Sequence, residues 1–336
     1  MKEKPFRTHV QQVNILRKKG MIVPQSYGVD VLKRENYYNL INGYKDLFID
    51  VPKSSTTTEQ YKVGTHFDEI VALYKFDCEL KSIFLKRLLR IENEIKSLIA
   101  YNFSEEYAYN NNCSITSTNC LKMNTNCCTN IENFSLTPVG SETLEKRLSG
   151  VIDLIASLHK ATAKELSKPS SAVKHYMEDY GYVPLWVLME VVTFGTVSFF
   201  YRYMKQKDKQ KISSVYKISD DEMEVILKNL SLVRNLCAHD ERLYNFRVKQ
   251  PIKVMPIHRA LAIPVGRSGN PICGRRDLFS ILISFKILSD QDDMAAIVDE
   301  LTAIISQLNS NLKTIHINDV LYKMGFPLNW DSIKTI

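Results

Sequence analysis

Between Arg242 and Arg276 the sequence contains no Asp or Glu, although eight Arg or Lys residues fall in that stretch. The formal net charge of the whole chain is only +7, so the distribution of charge matters more than its sum. A stretch of this kind is either a solvated basic loop or an electrostatic footprint for a polyanion, where each neutralised phosphate adds affinity through counterion release. Other signals are missing too. The opening MKEKPFRTHV has no apolar run of signal-peptide type and the seven cysteines are odd in number, so a reducing cytoplasm is the expected location. Val183 to Tyr203 is almost wholly apolar, but Glu190 lies inside it, and an acid at the centre of a bilayer helix costs about 2.5–3.5 kcal/mol. That run is expected to be a buried core helix, with no membrane partner.

Cysteine pairs of the C-x₂₋₄-C kind are also lacking. Cys113, Cys120, Cys127 and Cys128 fall in one polar stretch, but their spacing departs from the C-x₂₋₄-C pairs that structural zinc favours. Neither a metal nor a cofactor is expected.

What is present is helical periodicity. Apolar residues recur three or four apart at Ile70, Tyr74, Leu80, Phe84, Leu88, Ile91, Ile95 and Leu98, with Lys86, Arg87, Arg90, Glu94 and Lys96 off the stripe. A second stripe runs from Ile297 to Leu312, and Leu144–Leu166 and Asp221–Ala238 also fit helices. Asp220 and Asp221 suit the start of the latter. Strand alternation is scarce apart from a possible short hairpin over Phe246–Ile263, so the expected class is all-α. Residues 1–58 read as an N-terminal helical region closed by a linker at Ser54–Thr58. Residues 59–336 read as one helical domain with a polar, Cys-containing insertion at about 110–133 and a basic loop or hairpin after its Asp221–Ala238 helix. The N-terminal region holds Lys33, Arg34, Tyr37, Tyr38, Tyr44 and Lys45, which could stack and neutralise RNA or simply pack in a core.

At the end of the Asp221–Ala238 helix stands Arg234-Asn235-Leu-Cys-Ala-His239. RNA carries its own nucleophile, the 2′-hydroxyl, so cutting it needs a group that moves a proton and a cation that holds phosphate charge. An imidazole suits the first role and a guanidinium the second, which nominates His239 and Arg234, with Asn235 to orient the phosphate or the ring. No carboxylate cluster accompanies them. Five positions on a regular helix turn Arg234 and His239 about 140° apart, so they share a face only if the helix bends or ends between them. A homodimer supplying two copies would be the simpler way to complete a site. Candidate RNA contacts are Lys205, Lys207, Lys209 and Lys211 before the motif, Arg242, Arg247, Lys249, Lys253, Arg259, Arg275 and Arg276 after it, and Lys33 and Arg34 near the N-terminus.

The full run RNLCAHDERLYN from Arg234 to Asn245 resembles the signature of the bacterial Abi-like abortive-infection family of AbiD/AbiF type. HVQQVNILRKKGMIV, NYYNLINGY, the block from Leu73 to Tyr101, PLWVLMEVVTFGTVSFFY and MGFPLNW are similar to its other blocks, in the same order. The family is similar to the HEPN superfamily. The resemblance implies a helical bundle, metal-independent endoribonuclease chemistry at a site shared between two HEPN units, and a role in phage defence. It places Arg234 and His239 at the two catalytic positions, Asn235 after the first, and Arg242 and Asn245 downstream. Two other readings stay open. One is a non-catalytic RNA-binding module silenced by a small structured RNA, and the other a helical scaffold that binds only protein.

Overall fold

The computed structural model describes residues 5–51, 59–109, 127–239 and 241–336. Its elements are α-helices with short 3₁₀ and π turns, and among the described residues β pairing amounts to isolated bridges. The chain is all-α. No helix among the described residues is long and apolar enough to cross a membrane.

The helices, in order, are α1 (His9–Lys18), α2 (Gln25–Arg34), α3 (Phe67–Ser104), α4 (Leu144–Leu166), α5 (Ala172–Tyr180), α6 (Leu185–Val191), α7 (Phe194–Tyr203), α8 (Gln206–Val215), α9 (Asp220–Ala238), α10 (Pro256–Ala260), α11 (Leu278–Leu288), α12 (Gln291–Asn311) and α13 (Ile317–Met324). The long apolar stripe becomes α3, whose 38 residues span about 57 Å at 1.5 Å per residue. Ile70, Leu80, Phe84, Leu88, Ile91 and Ile95 on that stripe are all buried.

Two compact units emerge. The first comprises Met1–Leu85, Leu236–Lys249 and Val254–Ile336, and the second Lys86–Asn235 and Gln250–Lys253. In the first unit, α1 starts in a reciprocal cap between Thr8 and Gln11 and packs on α2. Helix α11 is buried almost all round, with Phe285 against Phe84 at 5.2 Å and Phe279 against Phe326 at 5.2 Å. Asp277 caps its start by accepting from the Ser280 and Gly274 amides.

The second unit is built on an aromatic cluster, in which Phe103 lies 4.6 Å from Tyr107, 5.4 Å from Phe134 and 4.9 Å from Phe200. Helix α4 covers α6 and α7. Its Arg147 is buried, donating to the Ser135 and Arg202 carbonyls and pairing with Glu142, with the guanidinium 4.7 Å over the Tyr203 ring.

Two expectations need correcting. Val183–Tyr203 is two helices rather than one: Val192 is extended and the Thr193 hydroxyl accepts from the Thr196 amide, starting α7 afresh. Phe246–Ile263 is no hairpin. Pro251 and Pro256 have no N–H to offer a strand ladder, and Pro256 instead opens α10. The basic segment is held by other means, with the Val248 amide donating to the Arg276 carbonyl at 2.7 Å and the buried His258 Nε2 3.0 Å from the Gly274 carbonyl.

Candidate functional site

Helix α9 ends at Ala238, so the motif run straddles a helix terminus. The chain turns there: the His239 amide donates to the Leu236 carbonyl at 3.3 Å and the Glu241 amide donates to the His239 carbonyl at 2.8 Å. His239 therefore lies beyond the last helical residue, and the 140° separation of a regular helix does not apply to it. Asn235 and His239 are exposed.

Arg234 differs. Its side chain is 30% exposed, and its Nε donates to Glu92 Oε2 at 3.3 Å. Glu92 is buried on α3 and is also paired with Lys96 at 2.9 Å, so the carboxylate is shared between two cations. That arrangement fixes the guanidinium through Nε, and its two terminal amino groups make no hydrogen bond among the described residues.

The second half of the run goes inward. Asp77, fully buried on α3, accepts from the Leu243 amide at 3.0 Å, the Tyr244 amide at 2.7 Å and the Tyr44 hydroxyl at 2.7 Å. Burial pushes its carboxyl above the usual range, and the bonds from Tyr44, Leu243 and Tyr244 oppose that rise. Tyr44 stacks on Tyr244 with ring centres 5.7 Å apart. Arg242 donates to the Gly43 carbonyl at 2.6 Å and pairs with Asp46 at 3.7 Å. A Cβ at position 43 would lie 3.4 Å from the Arg242 Cδ, an ordinary contact, which shows how closely the Arg242 stem runs along this backbone. Three separate stretches of sequence, around Tyr44, Asp77 and Leu243, thus meet in one buried clasp within the first unit. Sequence reasoning missed Asp77, and it treated Tyr44 as a residue that could either bind RNA or pack. It packs.

The candidate RNA contacts divide sharply. Lys207 and Lys211 both pair with Glu106, whose carboxyl is held below the usual range by hydrogen bonds from Lys207 and then Lys211. Lys209 is buried against Glu224 at 3.1 Å, and the Lys205 ammonium lies 5.3 Å over the Tyr107 ring. All four lysines before α9 therefore have partners inside the second unit. Arg275 donates to Asn270 at 2.5 Å, and Lys33 pairs with Asp30 at 3.2 Å. Arg34, Arg247, Lys249, Lys253, Arg259 and Arg276 are exposed and form no ion pair among the described residues.

Cys113 and Cys120 lie outside the described residues, whereas Cys127 and Cys128 are buried in a 3₁₀ turn. No group of three His, Cys, Asp or Glu residues among the described ones could hold a metal ion.

The family model described as Abi-like protein matches residues 30–245, well over half of the chain. The match takes in Tyr44, Asp77, Glu92, Arg234, His239 and Arg242, and it ends at Asn245. No curated protein and no solved structure matches the chain. On the extent of the family match, the chain belongs to the Abi-like protein family.

Proposed function

We propose that the chain is an abortive-infection protein of phage defence that acts as a metal-independent, HEPN-type endoribonuclease. The observation that carries this reading is the end of α9, where Asn235 and His239 stand exposed while Arg234 is fixed through Nε with its terminal amino groups unpartnered. In the proposed reaction the RNA 2′-oxygen attacks the adjacent phosphorus and the bond to the 5′-oxygen breaks. The products are a 2′,3′-cyclic phosphate and a 5′-hydroxyl. One imidazole takes the 2′-hydroxyl proton and a second gives a proton to the departing oxygen, which calls for two copies of His239 and hence a homodimer. Arg234 holds the charge on the non-bridging phosphate oxygens.

The test is cleavage of a mixed RNA pool by the purified chain, with and without EDTA, with the product ends identified. Cleavage that persists in EDTA and is lost in His239→Ala, with cyclic phosphate ends, supports the reading. Full activity of His239→Ala refutes it.

A second reading draws on the Arg234–Glu92 pair, because a guanidinium committed to a carboxylate can serve the fold rather than a phosphate. On that reading the exposed cations bind a regulatory RNA that is held and not cut. RNA that copurifies with the chain, stays intact and leaves steeply with added salt would favour it.

A further inference from the structure

Between the N-terminal block and the segment that follows α9, the first unit has a cleft of about 580 Å³ lined by Tyr38, Asn39, Asn42, Glu241, Asn245 and Arg247, among others. We propose that this cleft binds one unpaired nucleotide, base and phosphate together. The proposal deepens the reading above by giving one nucleotide of the RNA a seat beside the motif.

Size comes first. Small-ligand sites commonly enclose roughly 300–1,000 Å³, a range that admits a nucleotide. The lining is mostly polar, which disfavours an apolar ligand. It also has the three kinds of group that a nucleotide needs. Tyr38 is 69% exposed, which leaves its ring open for a base to stack on. Asn39, Asn42 and Asn245 each offer a donor and an acceptor, and their carboxamides form no hydrogen bond among the described residues. Such groups pair with the edge of an unstacked base. Glu241 adds an acceptor for a base amino group, and Arg247, exposed and within electrostatic reach of Asp277 but in no ion pair among the described residues, can neutralise the phosphate.

The floor beneath these groups is rigid. Arg242 is pinned to the Gly43 carbonyl and Asp46, and Asp77 holds the Leu243 and Tyr244 amides on the far side of the same backbone. Asn42 and Asn245 flank the residues so pinned, so both walls are set before a ligand arrives. Asn39 is exposed and Asn42 and Asn245 are half-buried, so all three carboxamides are open to a ligand that enters the cleft.

The same chemistry would take a nucleotide within single-stranded RNA or a free one, and binding measurements separate them. The protein used is the full chain carrying His239→Ala, so that RNA stays intact. It is titrated with four labelled homo-oligoribonucleotides and, separately, with the four ribonucleoside monophosphates. Tyr38→Leu, which keeps an apolar surface but no aromatic face, is expected to weaken binding about tenfold, the scale of one lost base stack. Asn245→Ala is expected to level the differences in affinity among the four bases, and Arg247→Gln to weaken all four alike. If RNA binds and all three variants bind it as the parent does, with unchanged circular dichroism, the cleft is not the seat and the ribonuclease reading survives. If the monophosphates bind, the variants weaken them and RNA does not bind, the cleft is confirmed and the ribonuclease reading falls. Binding of neither ligand overturns the cleft proposal.

Discussion

Replacing Asp77 by Ala removes the acceptor for three buried donors at once, the amides of Leu243 and Tyr244 and the hydroxyl of Tyr44. Each buried donor left without its acceptor costs roughly 1–3 kcal/mol. Against that stands the cost of burying the carboxylate itself, which shows in its raised pKa and disappears with the side chain. The net loss is expected to be about 3–5 kcal/mol, the scale of breaking one side of a buried charged network. Asp77→Asn should cost far less, about 1 kcal/mol. Its carbonyl can still accept from the Tyr244 amide and, through the longer 3.3 Å contact, from Leu243, while its NH₂ can donate to a Tyr44 hydroxyl that turns round. Urea unfolding followed by tryptophan emission reads the difference directly. Trp330 is buried in the first unit and Trp186 lies in the second, so a Trp186→Phe background isolates the unit that holds Asp77. If Asp77→Ala unfolds within 1 kcal/mol of its parent, the clasp does not hold the segment after α9 and the reasoning fails.

Gly150→Ala in α4 would ordinarily stabilise a helix by up to about 1 kcal/mol, but here the new Cβ would collide with the Tyr203 hydroxyl and sit 3.3 Å from Cε1. The ring cannot swing away easily because the Arg147 guanidinium lies 4.7 Å and the Arg202 guanidinium 5.7 Å from its centre, so a net loss of about 1–2 kcal/mol is expected in thermal unfolding. A stabilised variant would show that the ring is loose. If the chain binds RNA, Lys207→Ala combined with Lys211→Ala should change the slope of log affinity against log salt less than Arg247→Ala combined with Lys249→Ala, because Glu106 already neutralises the first pair. Equal slopes would show that the Glu106 pairs open on binding. Burial raises the Asp277 carboxyl to about 6, so between pH 4 and 6 the folded chain holds a proton that the unfolded chain has released. Stability contributed by Asp277 therefore falls as pH rises through that window, by about 3 kcal/mol in all. Asp277→Asn should be less steep over the same range, and parallel melting curves for parent and variant would contradict the assignment.

Much of the fold was legible because its signals are local. The period of the stripe from Ile70 to Leu98 specified α3, and Leu144–Leu166 became α4 without adjustment. The break at Val192–Thr193 was also local, since Thr193 is a good N-cap residue, but an unbroken apolar run masked it. The charges were not legible in this way. Lys207 and Lys211 read as free cations because the acid that binds them lies about a hundred residues earlier in the chain, and the Glu92 partner of Arg234 is 142 residues away from it. Asp77 carried no signal at all. A lone acid in a helical pattern reads as part of a solvated face until the fold brings the Leu243 amide to it across 166 residues.

Those distant pairings divide the signature run into two parts with different physical jobs. From Arg234 to His239 it presents side chains at a helix end, where Asn235 and His239 are free to meet a ligand. From Arg242 to Tyr244 it turns inward, with Leu243 and Tyr244 buried and their amides held by Asp77. Substitutions in the second part therefore act through position: they loosen the backbone that carries Asn245 and Arg247 and lower stability and activity together. Changes at Asn235 or His239 meet no such constraint, so they should alter activity with little change in unfolding free energy. The whole run thus joins two separate features, a folded clasp and an exposed helix end, and the proposed chemistry draws on the second directly and on the first only through position.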